Sequence, residues 1–194
     1  MKIIFFFITF IFVYNISAQI EISSLPFNHS ENFNSMANSG SDNSWVDNTT
    51  ISGWYSTENS YDAEDGSVGV PNSNRLLSLG SASVNTSDRS LGAIHKRNGN
   101  EIHYGLRLFN NSGKTITEIS ISYTGEQWKS GNTDPSTCAF SYQIEATSIT
   151  TGTWIAENQL DFTSPNLSGS GSLDGNTSGN NNIVSHNLNV TLLD

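Results

Sequence analysis

Over residues 19–194 of this chain apolar residues repeatedly recur at every second position, and they keep no 3.6-residue period for long. Ile102, Tyr104, Leu106 and Leu108 alternate with His103, Gly105 and Arg107. Past Asn110-Asn111-Ser112-Gly113 the alternation resumes, with Ile119, Ile121 and Tyr123 set against Glu118, Ser120 and Ser122. Successive side chains of a strand leave on opposite faces, so a period of two gives a strand one apolar face to bury and gives a helix none. The short Asn/Gly segment between the two runs predicts a β-hairpin.

Other segments repeat the pattern. Phe140, Tyr142, Ile144 and Ala146 mark one predicted strand face, and Val184, His186, Leu188, Val190 and Leu192 mark another. Shorter strands are expected over 51–57, 75–79, 90–94 and 153–162, with loops over 38–44, 58–74 and 163–182. Many short strands with no helices between them predict an all-β fold, an antiparallel sandwich or barrel. The abundant Ser, Thr, Asn and Gly suit such a fold, because they close tight turns with local hydrogen bonds.

The start of the chain has a different character. Lys2 is followed by an almost wholly apolar run from Ile3 to Tyr14, and Ser17-Ala18 offers small residues for cleavage before Gln19. That order is the layout of a secretory signal peptide over 1–18. The run is too short for a helix crossing a bilayer of about 30 Å, which takes roughly 20 residues. The expected product is a single domain, residues 19–194, that is secreted to the periplasm, cell surface or medium and keeps no membrane segment.

Cys138 is the only cysteine, so no intrachain disulfide can form. Beside Ala139 and Phe140 it reads as a small buried apolar residue. The formal net charge is −10, and losing Lys2 makes it more negative by one. Such a surface repels phosphate backbones, so nucleic acid is not an expected partner.

Two constellations are candidate ligand sites. Trp54, Tyr55, Tyr61 and Trp128 are the aromatics most able to offer stacking faces to sugar rings, since Gly53 and Gly125 place turns near them. Trp45 and Trp154 read as core. Glu31 with Asp62, Glu64 and Asp65 could supply the oxygens of a structural calcium site, although the spacing does not fit the EF-hand loop. No other cofactor is expected. No catalytic set emerges, because His29, His95, His103 and His186 share no metal-ligand spacing and no Gly-x-Ser-x-Gly elbow occurs. Arg89 and Arg107 are expected to be structural, each pairing with a carboxylate in or near the core.

Several segments carry a family resemblance. They include Leu25-Pro26-Phe27 with Glu31-Asn32-Phe33-Asn34, Gly53-Trp54-Tyr55, Asp88-Arg89-Ser90-Leu91-Gly92 and Tyr104-Gly105-Leu106-Arg107. The run Ser122-Tyr123-Thr124-Gly125-Glu126-Gln127-Trp128 is the most specific, joined by Phe140-Ser141-Tyr142-Gln143 and Leu160-Asp161-Phe162-Thr163-Ser164-Pro165. Over about residues 25–192 the chain resembles an N-terminal jelly-roll-like module of large exported proteins in Gram-negative bacteria that use type IX secretion. The resemblance implies a β-sandwich and an extracellular address, with no assigned activity. Family members continue into further closing strands, whereas this chain ends at Asp194. The resemblance therefore implies a truncated copy or gene fragment, a sandwich lacking its closing strands.

The expectation is a non-catalytic secreted module serving as a spacer, adhesion or recognition unit. A glycan or another cell-surface component is the expected partner. The alternative is a piece of a secreted enzyme, a glycan hydrolase or extracellular nuclease, whose catalytic part lies outside the chain.

Overall fold

A computed structural model describes residues 19–67, 74–83, 86–94, 100–131 and 134–194. The predicted signal segment 1–18 and His95 lie outside the described residues. In chain order the strands are β1 (Ile20–Ile22), β2 (Asn43–Ser44), β3 (Trp54–Ser56), β4 (Ser60–Glu64), β5 (Arg75–Leu79), β6 (Ser90–Ile94), β7 (Tyr104–Leu106) and β8 (Leu108–Asn110). They continue as β9 (Ile116–Glu126), β10 (Lys129–Ser130), β11 (Thr137–Cys138), β12 (Ser141–Tyr142), β13 (Ile155–Ala156), β14 (Phe162–Thr163), β15 (Gly171–Ser172) and β16 (Asn181–Leu192). A 3-10 turn at Asn158–Leu160 is the one helical piece among the described residues. The protein is all-β and sandwich-like, with several mostly antiparallel sheets.

The main sheet runs β2-β4-β5-β6, parallel between β4 and β5 and antiparallel elsewhere. Its centre is β5, where Leu76, Leu77, Ser78 and Leu79 are all buried. A strand covered on both faces has no need to alternate, which explains the run of leucines. Leu76 joins Met36, Trp45, Ile51, Tyr61 and Ile102 in one apolar cluster. Leu77 and Leu79, facing the other way, pack with Trp128 and Ile94 in a second.

The longest ladder is antiparallel, between β9 and β16. Ile119, Ile121 and Tyr123 lie opposite Leu188, His186 and Val184, all at least half-buried, while Ser120, Ser122, Ser185 and Asn187 are exposed. Period two is thus realised here as the sequence implies. A bulge follows Asn189.

Several expectations need correction. The hairpin does not form: β9 pairs with β16, while β7 pairs with β3 and β8 runs parallel to β1. The chain changes partners at Arg107, whose N–H donates to Gly53 O at 2.9 Å and whose carbonyl accepts from Ile20 N at 3.1 Å. The Phe140–Ala146 strand shrinks to β12, because Glu145 turns the chain at a φ of 57°. The expected loop 58–74 contains β4, with Tyr61 and Asp62 both buried. The expected loop 38–44 likewise ends in β2.

Candidate functional site

At the ends of β4 and β5 the structure forms an open polar cleft of about 270 Å³, with Asn38, Glu64, Asp65, Ser67, Gly80 and Arg89 in its lining. Arg89 is the unusual member. It is only 5% exposed, a rare placement for an unpaired charge. Its backbone N–H donates to Asn34 Oδ1 at 2.8 Å. Its Nε donates to Ser78 Oγ at 2.9 Å, and that hydroxyl passes a hydrogen bond on to Ala37 O at 2.8 Å. Nη2 donates to Glu64 O at 3.2 Å and also to Ser78 O.

Those bonds use Nε and Nη2 and leave Nη1 with no protein acceptor among the described residues. Nor does Arg89 form an ion pair there, so the expected carboxylate partner is replaced by a hydroxyl and two carbonyls. Burial pulls the guanidinium below its usual pKa range, with Asp65 and Asp88 opposing that shift. Gly80 is what lets Nη1 reach the cleft. A Cβ on Gly80 would sit 2.5 Å from Nη1 and 2.3 Å from Asp88 O.

Asp65 supplies the opposite charge. Its Oδ1 accepts from Ser67 N at 3.0 Å, and hydrogen bonds with Ser67 hold its carboxyl below the ordinary range. Gly66 makes this turn, with φ +83° and a hypothetical Cβ only 1.9 Å from Trp128 O. Glu64 contributes its carbonyl to Arg89, while its side chain shares a strand face with Asp62 two residues back. Burial raises the Glu64 carboxyl, and Asp62 and Asp65 add to the effect.

The predicted aromatic platform does not assemble. Tyr61 is buried against Trp45, ring centroids 6.3 Å apart, with its hydroxyl accepting from Ala37 N at 3.1 Å. Trp128 is buried and donates from Nε1 to Glu126 Oε2 at 2.9 Å. Trp54 is half-buried, edge-on to Phe33 at 4.9 Å, and Tyr55 is half-buried with an enclosed hydroxyl. Trp45 is core, as expected, whereas Trp154 is 38% exposed and corrects the opposite expectation.

Two members of the calcium set are engaged by protein groups. Glu31 Oε1 accepts from Phe33 N at 2.7 Å, and Asp62 takes Arg75 Nη1 at 2.7 Å and Asp42 N at 2.8 Å. Among the described residues no three His, Cys, Asp or Glu side chains gather so as to hold a metal ion. Cys138 is exposed on β11 rather than buried, with its Sγ 3.5 Å from the Tyr104 hydroxyl. His103 faces Glu101 at 3.7 Å, both well exposed.

Sequence reasoning took Arg89 for a structural residue paired with a carboxylate, and did not foresee its free Nη1. The available signal was one serine inside Arg75-Leu76-Leu77-Ser78-Leu79, a polar atom in a strand otherwise built for burial. In comparisons with known proteins, no family model matches the chain, and no curated protein or solved structure matches it either.

Proposed function

We propose that this chain is an exported, non-catalytic β-sandwich module for recognition or adhesion, which takes a polar ligand, carbohydrate foremost, in the Arg89 cleft. One observation carries the reading: a buried guanidinium presents unpaired N–H groups to an open cleft that also holds an ionised carboxylate. Fixed polar groups of this kind give a binding site its orientation and specificity. The volume falls just below that of small-molecule sites, about 300–1,000 Å³, so it suits one small unit rather than a long chain.

The signal-like segment 1–18 and the resemblance to exported jelly-roll-like modules support an extracellular setting. Binding without turnover is the behaviour this reading expects. Titration of the purified, folded chain against a broad glycan panel tests this. Saturable binding with the glycan recovered intact is the expected result. Flat isotherms across the panel would remove the recognition role, and cleavage of a bound glycan would remove the non-catalytic one.

A further inference from the structure

Resting on the reading of the Arg89 cleft as a binding site, the geometry points to a specific ligand class: a neutral, hydroxyl-rich sugar residue. One hydroxyl would accept from Arg89 Nη1 and a neighbouring one would donate to Asp65.

The hydrogen-bonding pattern of the guanidinium makes the choice. A carboxylate or phosphate is held best by two parallel N–H bonds from adjacent guanidinium nitrogens. Both forks of arginine include Nη2, and the two Nη2 hydrogens are already given to Glu64 O and Ser78 O. Only the Nη1 hydrogens remain, so an anion could gain no bidentate contact. It would also face the ionised Asp65. A cationic ligand would meet the guanidinium in turn, and of the two acidic residues in the lining Glu64 has its charged form disfavoured by burial.

A hydroxyl group avoids both conflicts, because it donates and accepts at once. Neighbouring hydroxyls on one ring can therefore serve a donor-only and an acceptor-only group together. Asn38 and Ser67, which donate and accept through their side chains, extend the same chemistry along the lining. The two charges are fixed before any ligand arrives, Arg89 by Ser78 and Glu64 and Asp65 by Ser67. Such preorganisation lowers the ordering cost of binding.

The test compares three families of methyl glycosides on the purified chain: neutral pyranosides, their uronate counterparts and their 2-amino counterparts. Affinities are read for the wild type, Asp65→Asn and Asn38→Ala, with circular dichroism confirming that each is folded. At least one neutral pyranoside should bind, and its uronate and 2-amino counterparts should bind at least tenfold more weakly. Asp65→Asn should lose about tenfold for the neutral sugar, and Asn38→Ala should lose less. Uronates binding as tightly as neutral sugars would overturn the ligand class while leaving the cleft as a binding site. Neutral binding unchanged by both substitutions would move the site elsewhere. Absence of binding by all three families would remove the ligand class.

Discussion

The hydroxyl of Ser78, fully buried, receives the Nε–H of Arg89, itself nine-tenths buried, at 2.9 Å. The same hydroxyl donates to Ala37 O, so one oxygen ties β5 to the Ala37 segment and to the arginine before β6. Ser78→Ala leaves the Nε donor of a buried cation without its acceptor. Hydrogen bonds to charged groups contribute about 1.5–3 kcal/mol. Urea denaturation should therefore show a loss of about 2 kcal/mol with an unchanged m-value.

Gly66→Ala should be worse than an exposed glycine change. The residue sits at φ +83°, and the new Cβ would meet Trp128 O at 1.9 Å. Backbone strain and collision with a main-chain atom together should cost more than about 2 kcal/mol. Gly113→Ala, also at positive φ but with open space around it, gives the matched control and should cost less.

Alkaline stability should depend on Tyr123. Burial raises its hydroxyl, with Cys138 and Asp161 adding to the effect, up to about 12. The unfolded value is about 10. A folded value raised above the unfolded one contributes stability that is complete below about pH 10 and is lost as pH climbs towards 12. Tyr123→Phe should make the stability–pH curve shallower in that window, while Tyr104, raised further by burial, keeps part of the slope. At neutral pH it should cost about 1 kcal/mol, for the bond from the hydroxyl to Leu160 O at 2.6 Å.

Self-association should run through β16. Among the described residues this twelve-residue strand pairs only with β9, and it carries no Asp, Glu, Lys, Arg or Pro. Natural sheet edges are usually guarded by such residues. Ser185→Lys with Asn187→Lys, both at exposed positions, should reduce light scattering on concentration while leaving the melting temperature nearly unchanged.

The faces of this fold were legible in the sequence, whereas many of the pairings were not. Alternation located β9 and β16 and their inward residues, and the short apolar runs gave β5 and β6. Period two states which side chains share a face and is silent on which strand lies alongside, so the Asn110–Gly113 turn suggested a hairpin that does not form. β4 was hidden because burial on both faces erases alternation. Tyr61 and Trp128 looked available for stacking, because a sequence does not record which strands will cover an aromatic ring. The free Nη1 of Arg89 depends on Ser78, Glu64 and Gly80 converging from separate segments.

Amide and arginine side-chain NMR shifts, followed during titration with neutral methyl pyranosides, test the central claim most directly. Saturable shifts should appear at Ser67, Gly80, the Asn38 amide group and the Arg89 Nε–H, and should leave Ile144 and Ile155 unmoved. Shifts confined to a separate shallow hollow, lined by Tyr142, Ile144 and Ile155, or no shifts at any concentration, would contradict it.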